Sequence, residues 1–563
     1  MNQPTPAIVT QDAVRRLPRW ALLLFCLAYV VPGFVGRQPW KNADITAFGY
    51  MFELARGMTS WISPRLVGNP PEFDALVPYW LGAWAIRLAP AWVPADFAAR
   101  IPFALLLGLT LVATWYGMYS LARSPRAQPV PFAFGGEASP PDYARAMADA
   151  SLLALIACLG LAQLSHETTP SLTQLAFTAL AFQGMAALPR RLLIATLCLL
   201  VGLGGLALSG APAMALFFGV GGMLVELLDP ETEADSPRKP RIVYIAILIA
   251  GIFFSIGLAS WLGQWQYRIV PEGWDRDWRP LGRLLLWFTW PAWPLALWTL
   301  WRWRRQLTSR HVALPLWFIF VSVGTTIATP SSDRSLLLAL PAMAALAAFA
   351  LPTLSRSVGA LIDWFTLLFF SGCAVIIWVI WISLQTGVPA KPAANVARLA
   401  PGFEPSFSLW AFAAALAATI TWAGLVRWRT GRHRTAIWKS LVLPAGGAAL
   451  CWLLVMTLWL PVLDYARSYV PVVRGVERLM DRPGCVDAFG LSRGQLAAFR
   501  FHAGMDLHVA SKQSTCPWLI ATADMQPAMP LALDMRHWRL VSSVRRPVDA
   551  QDNVLLYRRV PRP

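Results

Sequence analysis

Long uncharged stretches recur along the chain at close to the thickness of a bilayer and are separated by short polar loops. Such runs predict membrane-spanning helices, since about 20 apolar residues in an α-helix cross the hydrocarbon core. The first runs from about Arg19 to Gly36. The second covers about Ile101 to Leu121 and the third about Ala148 to Leu164. The fourth ends at Pro189-Arg190-Arg191, and the fifth and sixth flank Ser209-Gly210-Ala211-Pro212. The seventh covers Ile242 to about Leu262. The eighth ends at Arg302, the ninth leads to Thr329-Pro330, and the tenth ends near Arg356. The eleventh precedes the loop Gly387 to Pro405, the twelfth ends at Arg427-Trp428-Arg429, and the thirteenth runs from about Leu441 to Leu463.

Between the first two runs, residues 37–80 are too polar to span. Phe48, Met51, Phe52 and Ala55 share one helical face, with Asp44 one turn before Phe48 and Arg56-Gly57 as a stop. A second amphipathic piece runs from Ala75 to Ala89 with Tyr79, Trp80 and Trp84. Short amphipathic helices after a first span suit the membrane surface. From Asp464 the pattern changes to short alternating runs. Cys485 to Leu491, Leu507 to Ala510, Trp518 to Ala521, Arg539 to Ser543 and Val554 to Tyr557 read as strands, with a helix at Arg493 to His502. The chain is therefore expected to divide into a membrane domain, 1–463, and a small α/β domain, 464–563.

Composition agrees with a polytopic α-helical membrane protein: 56% of residues are hydrophobic and only 14% charged, and the mean hydropathy is +0.50. The net charge of +18 would suggest nucleic acid in a soluble protein. Here the cations sit in short loops and act as a topology signal, so no nucleic-acid partner is expected. Placing Arg15/Arg16, Arg123/Arg126, Arg190/Arg191, Arg238/Lys239/Arg241, Arg302/Arg304/Arg305, Arg356 and Arg427/Arg429/Arg432/Arg434 on the cytoplasmic side gives a consistent alternation. An odd number of spans then puts the C-terminal domain outside. Five cysteines lie in apolar runs. Cys485 and Cys516 lie in the C-terminal domain, where an oxidising compartment would permit a disulfide.

The loop 37–80 resembles the first extracytoplasmic loop of the GT-C glycosyltransferases that take sugars from lipid carriers. The resemblance is to the aminoarabinose transferases of lipid A and the protein O-mannosyltransferases. Asp44, Trp61, Pro64, Gly68, Tyr79 and Trp80 stand in that family's order and spacing. Two positions depart from it. Ile45 follows Asp44 where the family has a second acid, and Glu72-Phe73-Asp74-Ala75 stands where the family has Glu-Lys-Pro. The lysine that would meet a donor phosphate is absent. The resemblance implies a GT-C-like fold of about 13 spans, a polyprenyl-phosphate sugar donor, a lipid or protein acceptor, and residence in a bacterial inner membrane, with the N-terminus cytoplasmic and the C-terminus periplasmic.

On that reading Asp44 is the candidate general base, since a glycosyl transfer from a lipid phosphate needs the acceptor hydroxyl deprotonated as it attacks. An N-cap of its helix is the structural alternative. Arg334, just before an apolar run, is the leading donor-phosphate ligand, because its guanidinium offers a fork to phosphate oxygens. Arg279 and Arg283, in a loop with Arg268, Arg276, Trp265, Trp274 and Trp278, are further phosphate candidates or interfacial anchors. Glu72, Asp74, Tyr79, His166 and Glu167 are candidate donor or acceptor contacts. Glu72 and Asp74 could also join Asp44 around a divalent ion. No His-Cys cluster, P-loop or nucleophile triad is present in the sequence. A transporter or flippase would place charges inside its spans, whereas these charges sit at span ends. A family member that only binds lipid is the other alternative.

Overall fold

The structure is a computed structural model that describes residues 5–72, 74–229, 241–265, 278–329, 333–430, 436–481 and 484–560. Arg268, Trp274 and Arg276 of the aromatic loop lie outside these residues.

The helices follow the apolar pattern. Helix α1 (Arg19–Val30) is followed by α2 (Ala43–Ala55) and α3 (Val77–Leu88), then by the long α4 (Ala95–Ala122). Next come α5 (Pro140–Ala157), the single turn α6 (Leu161–Leu164), α7 (Pro170–Ala187), α8 (Leu192–Leu208), α9 (Pro212–Leu228) and α10 (Arg241–Trp261). The predicted eighth run is two helices, α11 (Trp278–Phe288) and α12 (Ala292–Arg302), parted at Pro291, which has no N–H to continue the ladder. Then follow α13 (Arg310–Ala328), α14 (Asp333–Leu337), α15 (Leu340–Ala350), α16 (Arg356–Thr386), α17 (Ala390–Leu399), α18 (Leu409–Thr430) and α19 (Val442–Leu458). Six helices among the described residues are long and apolar enough by themselves to cross a membrane. The other predicted runs are made by shorter helices, such as α8 and α9, or by consecutive pieces. The result is a polytopic α-helical membrane fold with a small C-terminal sheet domain.

Burial sorts the spans into two shells. In α19, 78% of the apolar window is buried, and every residue of α15 is buried. In α18 only 11% of the window is buried, so Leu409, Trp410, Leu416 and Ile420 face outward, where hydrocarbon is their natural solvent. The basic loops meet one another at one end of the bundle. Arg190 donates to the Arg123 carbonyl, Arg126 Nη1 lies 3.4 Å from Ser309 Oγ, and Arg16 pairs with Asp142 at 3.1 Å.

After α19 come α20 (Leu460–Arg467) and α21 (Val470–Glu477), and then the sheet domain. Its strands are β1 (Cys485–Phe489), β2 (Asp506–Val509), β3 (Trp518–Thr522), β4 (Trp538–Arg546) and β5 (Asp549–Arg559), ordered β2-β1-β3-β5-β4. Strand β1 runs parallel to β2 and β3, with Val486 opposite Trp518, while β5 is antiparallel to β3 and β4. Cys485 and Cys516 are joined by a disulfide with their Cα atoms 5.2 Å apart. Helix α22 (Arg493–His502) links β1 to β2 and starts on a capping box. Ser492 accepts the Gln495 N–H, and the Gln495 side chain accepts the Ser492 N–H.

Helix α22 is what covers α2. The amphipathic reading gave α2 one apolar face, yet Asp44, Ile45 and all residues from Ala47 to Leu54 are buried. Its second face meets α22, and glycines make the approach close. A Cβ on Gly49 would lie 2.6 Å from the Ala497 Cβ. Glu53, buried on that face, is answered by Arg500, whose Nε donates to Glu53 Oε1 at 2.9 Å. Removing one partner of such a pair strands the other charge. Arg500→Met is therefore expected to cost about 3–5 kcal/mol and to expose the C-terminal domain to protease. The double variant Glu53→Met/Arg500→Met is expected to recover most of that loss. Equal unfolding temperatures for wild type and Arg500→Met would contradict this account of the interface.

Candidate functional site

Asp44 sits in the first turn of α2, two positions after the N-cap residue Asn42, so it does not cap its own helix. Its Oδ2 accepts the Trp40 N–H at 3.0 Å and lies 2.8 Å from Arg37 Nη1. Its Oδ1 accepts both the Thr168 N–H at 2.8 Å and the Thr168 hydroxyl at 2.6 Å. Only 1% of the residue is exposed. Burial opposes the charged form, but Arg37, Arg100 and the Thr168 hydrogen bonds outweigh it and hold the carboxyl below its usual value.

Arg37 ties three segments together. Its Nε donates to the Gly33 carbonyl at 2.9 Å and its Nη2 to the His166 carbonyl at 2.6 Å. The His166 ring fills the space beside Gly33, where a Cβ would come within 2.1 Å of it. Next in the chain, Glu167 Oε2 accepts from Arg334 Nη2 at 3.1 Å, and Oε1 accepts from Gln163 at 3.3 Å. Burial pushes the Glu167 carboxyl up, Arg334 opposes that, and the Asp44 charge adds to it.

A third carboxylate comes from the far end of the chain. Asp464 Oδ1 accepts the Trp40 indole N–H at 2.6 Å, and its oxygens lie 3.2 and 3.3 Å from the Gln38 N–H. Burial raises its carboxyl to about 6. Trp40 in turn carries two guanidiniums, Arg37 with its Cζ 4.8 Å and Arg467 with its Cζ 5.1 Å from the ring. Beside this cluster opens a cavity of about 690 Å³, lined by Arg37, Asp96, Phe97, Arg100, Phe501 and His502 among others. Arg100 pairs with Asp96 at 3.0 Å. The membrane domain and the C-terminal domain share this wall.

No protein-family model and no curated protein matches the sequence. Solved structures do match the fold. The crystal structure of ArnT from Cupriavidus metallidurans in the apo state aligns with a TM-score of 0.61 at 16% identity, over 96% of this chain and 98% of that one. The same protein bound to undecaprenyl phosphate aligns with a TM-score of 0.61 at 15% identity over the same shares. The chain has the ArnT fold. ArnT is a lipid A aminoarabinose transferase of the GT-C class, so the fold expected from the loop 37–80 is the one observed.

Within the ArnT fold the expected site residues separate. Asp44, Glu167 and Arg334 are gathered at one end of the bundle. Tyr79 and His166, like Asp44, are buried, and their contacts in this structure are within the protein. Tyr79 is 4% exposed with its ring 5.2 Å from Tyr50, where it joins α3 to α2. His166 is 1% exposed, its Nε2 lies 3.0 Å from the Tyr29 carbonyl, its ring packs on Trp452, and burial lowers its pKa to about 4. Glu72 pairs with Arg493 at 3.2 Å, on the C-terminal domain, and Asp74 packs its carbonyl against Gly210. Among the described residues no three His, Cys, Asp or Glu side chains gather to hold a metal. Arg279 and Arg283 are exposed on α11. Sequence reading passed over Arg37, Arg100, Thr168, Asp464 and Arg467. The Arg-x-x-Trp spacing of Arg37 and Trp40 was the only local trace of the cluster.

Asp464 supplies a pH signature. Its folded pKa, about 6, lies above the ordinary 3.8. Its contribution to stability is therefore full below 3.8 and is lost as pH rises through about 6. Asp464→Asn keeps an oxygen for Trp40 and Gln38 but does not titrate. Thermal unfolding across this range should shift progressively in favour of Asp464→Asn and level off above about 6. A constant difference between the two proteins would refute the shift.

Proposed function

We propose that this chain is a membrane glycosyltransferase of the GT-C type, moving a sugar from a polyprenyl-phosphate carrier to a lipid or protein acceptor at the outer face of a bacterial inner membrane. The observation that carries the reading is the placement of Asp44 and Glu167 beside Arg334 and Arg37 at the end of the bundle away from the basic loops. The fold shared with ArnT, one of whose structures holds undecaprenyl phosphate, supports the donor class. On this reading the N-terminus is cytoplasmic and the C-terminal domain periplasmic, as the basic loops indicate.

Asp44 is the general base in this proposal. At rest its oxygens are occupied by Arg37, Trp40 and Thr168. The Thr168 hydroxyl is the exchangeable partner, because an acceptor hydroxyl can replace it at Oδ1 with like geometry. The low pKa belongs to the site without its donor. A phosphate anion nearby offsets the field of the arginines and raises the carboxylate's basicity. The leaving lipid phosphate departs as an anion and needs cations rather than an acid.

The buried Arg37 complicates the simplest test. Asp44→Asn keeps a carbonyl for Thr168 but leaves Arg37 without its counter-charge, at about 3–5 kcal/mol. Asp44→Asn combined with Arg37→Gln removes both charges and is expected to fold. Its transfer of label from a radiolabelled polyprenyl-phosphate sugar to a membrane-lipid extract should fall about 10²- to 10⁴-fold. Near wild-type transfer by the folded double variant would remove Asp44 from the chemistry.

A further inference from the structure

Where α22 ends, the C-terminal domain meets the cavity beside Arg37. Phe501 and His502 are the last two residues of that helix, and both stand in the cavity wall. Helix α2 fixes their place. The Phe501 ring lies edge-on to Phe48 at 4.7 Å and to Phe52 at 5.3 Å, and Arg500 just before it holds Glu53 at 2.9 Å. From the membrane domain the wall takes Arg37, Asp96, Phe97 and Arg100. Arg37 is the ion partner of Asp44, so one side chain separates the cavity from the proposed base.

The chemistry of this wall selects a kind of ligand. Both guanidiniums are already matched, Arg37 by Asp44 at 2.8 Å and Arg100 by Asp96 at 3.0 Å. Among these four groups no surplus cation is left for a phosphate. His502 adds none: burial lowers its pKa to about 4, against the field of Asp96, and such an imidazole is neutral near pH 7. An acyl chain would strip water from the charged groups and offer no hydrogen bond in return. An uncharged ligand with hydroxyls at its edge and carbon on its faces fits better. The Arg100 guanidinium hydrogen-bonds Asp96 and nothing else among the described residues. Neither ring nitrogen of His502 has a hydrogen-bond partner among them. A neutral imidazole offers one donor and one acceptor, and Phe97 and Phe501 offer apolar rings beside it. The volume of about 690 Å³ is that of a small-molecule pocket.

We infer that this cavity holds an uncharged sugar ring during transfer, and that His502 of the C-terminal domain hydrogen-bonds one of its hydroxyls. This rests on the glycosyltransferase reading proposed above and adds a substrate contact made by the C-terminal domain. The ring belongs to the donor or to the acceptor. The wall suits either in the same way, and kinetics separate the two.

Rates of label transfer from a radiolabelled polyprenyl-phosphate sugar to a membrane-lipid extract are measured with the purified full chain. Donor and extract are varied in turn, with thermal unfolding as the check on folding. His502→Phe keeps a ring and removes its nitrogens. It should raise one KM roughly three- to tenfold, the worth of one hydrogen bond, at nearly constant kcat, and His502→Gln should restore most of the loss. Phe97→Leu, in the same wall but on α4, should raise the same KM. A rise confined to the donor assigns the ring to the donor, and a rise confined to the extract assigns it to the acceptor. Binding of undecaprenyl phosphate without a sugar should be the same in wild type and all three variants, because the cavity reads the ring and not the phosphate. Unchanged KM values in folded His502→Phe, a fall in kcat alone, or weaker binding of the bare lipid phosphate overturns the inference and leaves the glycosyltransferase reading in place. No transfer by the wild-type protein overturns that reading and the inference with it.

Discussion

A guanidinium and a carboxylate, Arg37 and Asp44, face each other at 2.8 Å with only 2% and 1% of their side chains exposed. Taking both charges out of water costs several kcal/mol for each, and their attraction offsets this only when the remaining polar atoms are also satisfied. Here they are satisfied by backbone and side-chain groups from three places: Gly33, Trp40 and the segment His166 to Thr168. The pair therefore fixes the end of the first span, the start of α2 and the turn before α7 as one unit. Gly33 is part of the same constraint, since any side chain there would occupy the space of the His166 ring. Glu167 follows His166 directly, so its position is set by the same frame.

The C-terminal domain completes this frame. Helix α22 buries the second face of α2 through Gly49, Ala497 and the Glu53–Arg500 pair. Lys41 pairs with Asp549 at 2.8 Å, and Arg546 donates to the Ala466 carbonyl. Phe501 and His502 reach the cavity beside Arg100. A helix whose faces are both apolar cannot lie open on a membrane surface with one of them in water. The sheet domain is the cover that lets α2 carry Gly49 and Glu53 on the side that meets α22.

The membrane class, the short helices after the first span and the strands of the C-terminal domain were legible because each is written in a local period. Residues near one another in sequence determine a 3.6 or a two-residue repeat. The site was legible only where the family resemblance pointed, at Asp44, Glu167 and Arg334. Its partners are set by contacts across the chain: Thr168 is 124 positions from Asp44, and Asp464 is 424 from Trp40. No local pattern distinguishes Arg37 from an interfacial anchor or Arg467 from the end of a helix. The same gap explains Tyr79 and His166. An aromatic ring at a span end has the same sequence signature whether it meets a ligand or, as here, packs on Tyr50 or Trp452.

Charge balance connects the frame to a ligand. Around Trp40 and Glu167 the described arginines are Arg37, Arg100, Arg334 and Arg467, and the carboxylates are Asp44, Asp96, Glu167 and Asp464. With every group ionised the cluster is neutral, which a largely buried site requires. The balance is uneven in strength. Asp44 is held ionised by its arginines, whereas burial raises Asp464 to about 6 and raises Glu167 as well. The two carboxylates least stabilised as anions are Asp464, held by Trp40 and Gln38, and Glu167, held by Arg334. Protonation of either carboxylate leaves the arginines with a net positive charge. That charge is one an anionic ligand can balance, in keeping with the donor proposed above.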